Sequence, residues 1–203
     1  MQLRLEMAHT SEQYVSERGW ASARLERCPL HPHGGCGFAR HGTYTRVEPP
    51  GTQIARWYCR QGRTTFSLLP DALASRLSST LAEIEQVLAE VEGASSVEQA
   101  SAALRPDITL PSAVRWVRRR LGPMRSALLA IVTLLGLGCA ATLGGVRASL
   151  GSPLTLGELR ARVAARLASL VAPLGFGHRA SVRRARDGPF QHEAGPDGGG
   201  QAR

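Results

Sequence analysis

The sequence contains no lysine, so all 25 of its basic residues are arginine. Aromatic residues make up only 5% of the chain, and the 16 acidic residues show no paired-carboxylate spacing. These absences argue against a large α/β enzyme whose site is built from carboxylates. The formal net charge of +9 instead favours a binding protein with a polyanionic partner, because arginine recognises phosphate and guanine through paired hydrogen bonds. Codon bias in a GC-rich genome would also remove lysine.

The charge is distributed unevenly along the chain. Residues 1–70 contain nine arginines and five acidic residues, and residues 71–104 contain one arginine and six acidic residues. Residues 105–203 contain fifteen arginines and five acidic residues. Two basic regions suggest two surfaces that touch one polyanion, although a membrane-facing segment would explain the second region equally well. Residues 1–20 carry charges throughout and no apolar run, so no secretory signal is predicted and we expect a cytoplasmic protein.

The four cysteines are too few for a disulfide scaffold, and three of them lie in one histidine-rich stretch, which favours a metal site. Structural zinc takes four Cys or His ligands from two chain segments, with short gaps inside each segment. Cys28 and His31 have the C-x-x-H spacing of a zinc knuckle. We predict a structural Zn²⁺ site with four ligands. They are Cys28, His31, Cys36 and Cys59.

Two details of this stretch leave alternatives open. His33 and His41 compete with His31 for the histidine position. Gly62 stands where a paired knuckle would have its second cysteine, so free thiols or a site that has lost its metal is the other interpretation. A β segment of about 40 residues with few large apolar side chains needs a cross-link to be stable, which favours a bound metal ion over free thiols.

Residue patterns divide the chain into five predicted regions. Residues 1–27 are expected to form an arm or one weak helix, 28–69 a zinc-ribbon-like metal domain, 70–122 an acidic helix and a helix-turn-helix, 123–175 apolar and amphipathic helices, and 176–203 a disordered basic and Gly-rich tail. The expected fold class is therefore mostly α, with a small β zinc-ribbon-like subdomain and a helix-turn-helix followed by C-terminal helices and a disordered tail.

Several element boundaries follow from periodicity and from capping residues. Alternating β-branched and aromatic residues predict strands at 42–47 and 53–59. Apolar residues at three- and four-residue steps predict a helix that opens at Pro70 and Asp71 and ends at Gly93. A capped short helix then follows Ser96.

The next helix is predicted to run from Ser112 to Leu121 and to be closed by Gly122 and Pro123. A further amphipathic helix is expected over 154–174.

A set of motifs appears in a familiar order over residues 28–122. They are the cysteine knuckle, RHGTYTR at 40–46, RWYC at 56–59, Thr65-Phe66, and a helix-turn-helix that ends in RWVRRR at 115–120. This order resembles the zinc-ribbon plus helix-turn-helix module of bacterial insertion-sequence proteins and transposase N-termini; Gly62 departs from the four-cysteine site of that family. The resemblance implies DNA as the partner, with the second helix in the major groove.

Such docking would direct Ser112 and Arg115 toward base edges and Arg118, Arg119 and Arg120 toward phosphates. A charged, solvent-facing side of an ordinary helix is the alternative. Two-metal phosphoryl transfer needs converging carboxylates, and no predicted strand carries an aspartate. We therefore expect no enzyme but a non-catalytic accessory, regulator or remnant of a mobile element, with DNA, a transposase or a second copy as partners.

Residues 126–146 carry no charge and are long enough to cross a hydrocarbon layer of about 30 Å, so a single-pass membrane protein with a cytoplasmic zinc-binding domain is one alternative. Glycines dilute the segment, and a buried helix over 124–135, with Cys139 as a core thiol, is preferred to membrane insertion. A protein-interaction module that pairs its acidic helix, residues 71–91, with a partner is the other alternative.

Overall fold

The computed structural model of the chain describes residues 1–7 and 10–177. Within them, one mixed sheet contains β1 (Gln2–Leu5), β2 (Ala39–Thr45), β3 (Gln53–Cys59) and β4 (Thr64–Pro70) in the order β1-β4-β3-β2. β1 runs parallel to β4, and the other neighbours are antiparallel. Seven α-helices accompany this sheet in the described residues: α1 (Ser11–Ser16), α2 (Gly19–Ser22), α3 (Leu81–Gly93), α4 (Val97–Leu104), α5 (Leu110–Leu135), α6 (Leu143–Leu150) and α7 (Leu156–Arg162).

The prediction of a mostly α fold with a small β ribbon is wrong, because the chain is 43% helical and 17% strand, with four strands in one mixed sheet. The residues expected to form an N-terminal arm supply β1, whose register pairs Gln2 with Ser67 and Leu5 with Pro70. This pairing joins segments more than 60 residues apart, so local sequence does not identify β4 as the partner, although the polar and apolar alternation over residues 2–7 is the pattern of a strand. The Arg4 guanidinium also stabilises the β1–β4 pairing, because it donates to both carboxylate oxygens of Asp71, at 2.9 and 3.0 Å.

The predicted acidic helix begins later than expected. Residues 71–79 form turns rather than helix. α3 starts at Leu81 because Thr80 caps it: the Thr80 hydroxyl accepts from the Glu83 amide at 3.0 Å, and the Glu83 carboxylate accepts from the Thr80 amide at 2.8 Å. The early apolar residue Leu73 is buried, but it belongs to the turn segment and not to the helical stripe.

α5 does not end at Gly122 and Pro123, and the predicted short helix is wrong on this point. Pro123 removes one backbone hydrogen bond, yet Leu121, Met124 and Leu128 around it are all buried. The packing of these side chains allows the helix to continue past the proline. The helix ends at Leu135, and Gly136 caps it in the left-handed conformation with φ 63°. Across the described ranges, no helix combines the length and apolarity that a membrane crossing demands.

The sheet separates two apolar clusters. The metal-side cluster contains Ala23, Cys28, Cys36, Ala55, Trp57, Cys59, Phe66 and Leu68. The helical cluster contains most of the buried apolar side chains of α3, α5, α6 and α7 together with Tyr14, Ile54 and Leu69. Alternation along β3 explains the division, since Ile54 and Ala55 point to opposite faces.

The C-terminal part of the helical cluster is less helical than predicted. The expected amphipathic helix over 154–174 is replaced by α7, a 3₁₀ turn at Ala164–Arg166 and further turns. Arg160 explains why this region is still ordered: it is 0% exposed and donates to the carbonyls of Leu73, Pro173 and Leu174 at 2.7 to 2.9 Å. From residue 178 onward, the predicted disordered tail of 176–203 lies outside the described residues.

Candidate metal centre and arginine face

The metal-ligand candidates come from two segments that meet beside the sheet. Cys28, His31 and Cys36 lie in the loop before β2, and Cys59 is the last residue of β3. Their four ligand atoms lie within 4.8 Å of one another, which is compatible with a single bound metal ion. The structure therefore brings all four predicted ligands together as a Cys₃His set.

Local hydrogen bonds shape the loop around these ligands. The His31 amide donates to the Cys28 carbonyl at 3.2 Å, which turns the chain so that His31 Nδ1 lies 3.7 Å from Cys28 Sγ. The Gln61 amide donates to the Cys36 carbonyl at 3.2 Å and ties the loop to the β3–β4 turn. From the strand side, Cys59 Sγ reaches to 3.4 Å from the same imidazole nitrogen.

At the position where a paired knuckle would have a cysteine thiolate, Gly62 offers only its backbone amide to the site. Its amide donates to Cys59 Sγ at 3.2 Å. A Cβ at this position would lie 2.7 Å from Leu30 Cδ1 and 3.3 Å from Cys59 Sγ, so a side chain would crowd the site. His31 supplies the fourth ligand atom instead, and Gly62 lies against Cys59 at the edge of the site.

The Cys28 and Cys36 thiols differ in how readily they ionise. Burial acts to raise the pKa of Cys28, but hydrogen bonds from His31 and from the backbone lower that pKa to about 6. Burial raises the pKa of Cys36 to about 11, and the adjacent Cys28 and Cys59 reinforce the effect. Because neighbouring thiolates repel one another, a divalent cation is the natural means of holding three of them together.

The two alternative histidines lie away from this group. His33 is exposed in the loop. His41 is also exposed, and its ring packs against Tyr58 with centroids 5.6 Å apart. The geometry therefore selects His31, because the turn that starts at Cys28 directs it inward.

The predicted DNA-contacting residues all lie on α5, which packs against α4 and is joined to it by residues 105–109. Arg115, Arg118 and Arg119 are exposed, and Arg125 continues the same face. Steps of three and four residues separate Arg115 from Arg118 and Arg119, and Arg125 lies seven residues after Arg118, so the four lie along one side of α5 over about 15 Å. Ser112 is half-buried at the start of the helix, and its hydroxyl accepts from Arg115 Nη2 at 3.0 Å.

Arg120 is not on this face. Only 9% of it is exposed, and its guanidinium carbon lies 3.7 Å from the centroid of the Trp116 ring. Its Nη1 donates to the Trp116 carbonyl at 3.3 Å, and burial lowers its pKa. In this conformation Arg120 supports Trp116 and does not reach a phosphate.

One acidic residue touches the arginine face in the described part of the chain. The Glu98 carboxylate of α4 lies 3.5 Å from Arg118 Nη2, and both side chains are more than half exposed. Sequence reasoning missed this pair because the two residues meet only through the packing of α4 on α5. An exposed pair of this kind contributes little to stability, so Glu98 leaves Arg118 available to another anion.

The acidic face of α3 has partners inside the fold. Glu92 accepts from the amides of Leu143 and Gly144 at 2.7 and 2.9 Å and so caps α6. Glu85 pairs with Arg147 and accepts from the Leu156 amide at the start of α7. These carboxylates, which suggested a surface for a protein partner, are used as helix caps.

No family model, no curated protein and no solved structure matches the chain.

Proposed function

We propose that the chain is a non-catalytic DNA-binding protein in which a structural Zn²⁺ supports the sheet and the arginine face of α5 contacts the duplex. The observation that carries the proposal is the run of exposed arginines on one side of α5, which meets a single carboxylate among the described residues. Guanidinium groups spaced over about 15 Å match several successive phosphates, which rise by about 3.4 Å per base pair along the duplex.

The choice of zinc rests on the donor set and on its spacing. With Zn–S near 2.3 Å and Zn–N near 2.0 to 2.1 Å, a tetrahedral site separates sulfur and nitrogen by about 3.6 Å. The two sulfur–nitrogen separations here are 3.4 and 3.7 Å. Three thiolates and one imidazole also suit zinc better than the oxygen-preferring cations. Zn²⁺ would be held by Cys28, His31, Cys36 and Cys59 and would join the loop to β3.

The mode of DNA contact follows from the position of the arginines. Arg115 lies in the second turn of α5, near the end that would enter a major groove, and Arg118 and Arg119 lie one turn further on. We assign Arg115 to base edges and Arg118 and Arg119 to phosphates. Arg120 is omitted from the interface because it is buried against Trp116.

The wider setting of this proposal rests on the resemblance to insertion-sequence proteins. It supports an accessory, regulator or remnant of a mobile element that acts in the cytoplasm, with a transposase or a second copy as a further partner. The proposal itself needs only duplex DNA as the ligand.

The test is the salt dependence of duplex binding, measured by fluorescence anisotropy on the full chain. The double variant Arg118→Gln/Arg119→Gln should lower the magnitude of the log–log salt slope by about 1.8, at about 0.9 per phosphate contact. Between 50 and 200 mM salt this corresponds to roughly 12-fold less loss of affinity than in the parent.

A matched control removes two positive charges elsewhere. Arg162 and Arg166 are exposed at the end of α7 and in the 3₁₀ turn. The variant Arg162→Gln/Arg166→Gln should keep the parent slope. Equal slopes in the two double variants would show that net charge, and not the arginine face of α5, governs binding.

A further inference from the structure

The sheet face that looks away from the metal site carries an exposed aromatic and basic group near the β3–β4 turn. Alternation along β3 places Trp57 and Cys59 on the metal side and Arg56 and Tyr58 on the other. A register shift in β2 between Arg40 and Thr43 brings His41 to Tyr58, with the ring centroids 5.6 Å apart.

This end of the face is open in the described part of the chain. The turn segment 71–79 covers the other end, where Ser75 Oγ donates to Gln2 Oε1 at 2.6 Å and Arg46 donates to the Ala74 carbonyl at 3.0 Å. His41 is exposed, and Tyr58 is half-buried. The His41 ring and part of the Tyr58 ring are therefore accessible at this surface of the sheet.

The electrostatic setting of the rings is positive. β2, β3 and β4 contain no aspartate or glutamate. The Arg56 guanidinium lies 5.7 Å from the Tyr44 ring, and its buried Nε has no hydrogen-bond partner among the described residues. Arg60 and Arg63 are both exposed in the turn that connects β3 to β4. The Arg63 amide donates to the Arg60 carbonyl at 3.3 Å and closes this turn.

We propose that this face binds a single nucleic-acid strand. Its members are His41, Arg56, Tyr58, Arg60 and Arg63. Aromatic rings accept the flat face of a base of any sequence, and guanidinium groups beside them bind the phosphates. A duplex keeps its base faces inside its own stack and so offers no such contact, which makes this surface distinct from the duplex contact proposed for α5.

The test compares three probes on the full chain: (dT)₁₂, (rU)₁₂ and a 12-base-pair duplex. Tyr58→Leu should weaken binding of (dT)₁₂ by roughly 5- to 150-fold, the range expected for loss of one base–aromatic stack. Tyr58→Phe keeps the ring and should bind (dT)₁₂ as the parent does. Both variants should bind the duplex unchanged. A difference between (dT)₁₂ and (rU)₁₂ identifies which kind of strand the site prefers.

A second variant covers the case in which Tyr58→Leu fails to fold. Arg60→Gln/Arg63→Gln alters only exposed side chains and should reduce the salt slope for (dT)₁₂ by about 1.4, at about 0.7 per contact with a single strand. Parent protein that binds neither (dT)₁₂ nor (rU)₁₂, or an unchanged slope in this variant for the strand that is bound, overturns the proposal. The duplex test on Arg118 and Arg119 is read separately, so either site can fail while the other stands.

Discussion

Replacing Cys59 by serine tests the metal centre at its most buried ligand. Cys59 is 0% exposed, lies within 3.4 Å of the His31 imidazole and accepts the Gly62 amide. Structural zinc contributes about 10 to 16 kcal/mol of apparent binding free energy at pH 7, which is comparable with the whole stability of a domain, about 5 to 15 kcal/mol. Cys59→Ser should therefore abolish tight binding and loosen the metal-side cluster.

The expected signals differ between the two clusters. Trp57 belongs to the metal-side cluster and is 5% exposed, so its fluorescence should shift to the red when that cluster loosens. The buried faces of α3, α5 and α7 belong to the helical cluster, so the far-UV helical signal should be largely retained. Elemental analysis should find about one equivalent of zinc in the parent.

Cys139→Ser is the matched control for this experiment. Cys139 is half-buried and packs against the helical cluster, far along the chain from the four ligands. This variant should keep its zinc and its Trp57 emission. The reasoning is refuted if parent protein expressed with zinc available contains no metal, or if Cys59→Ser retains a full equivalent.

Three further substitutions test the arginine face and the C-terminal fold. Arg115→Lys keeps the charge but loses the planar fork, so binding to a selected duplex should fall by about 1 to 3 kcal/mol while binding to random duplex barely changes; equal losses on both would contradict base reading. Glu98→Gln removes the carboxylate beside Arg118 and should strengthen duplex binding at low salt by up to about 1 kcal/mol, whereas weaker binding would place Glu98 in a different role. Arg160→Met should cost about 3 to 5 kcal/mol in urea unfolding, against about 0.5 kcal/mol or less for the exposed neighbour Arg162→Met, and equal effects would mean that the buried carbonyls find other donors.

The metal centre could be predicted because its signal is local. The two-residue gap between Cys28 and His31 fits one turn of chain, and soft ligands grouped in one stretch have few other uses. Spacing alone could not choose between His31 and His33. The choice depends on the turn hydrogen bond from the His31 amide, which is a property of the folded loop.

The errors in the predicted fold come from contacts that are distant in sequence. Residues 2–7 alternate between polar and apolar side chains, which is the pattern of a strand, but their pairing with β4 depends on a parallel edge more than 60 residues away. Pro123 is a valid stop signal in isolation, yet burial of Met124 and Leu128 outweighs the single hydrogen bond it removes. Arg120 belongs by sequence to a basic run, and only the position of Trp116 shows that it is buried.

The buried arginines give the absence of lysine a structural consequence in addition to the surface one. Arg46, Arg120 and Arg160 each donate to backbone carbonyls from inside the fold, and Arg160 reaches carbonyls of two separate segments, 71–73 and 173–174, with one planar group. An ammonium has three donors on a single nitrogen and cannot span such a set. A chain rewritten with lysine at every arginine would thus carry the same formal charge yet lack the internal cross-links, whereas a rewrite confined to exposed positions would leave the scaffold intact and change only its surface chemistry.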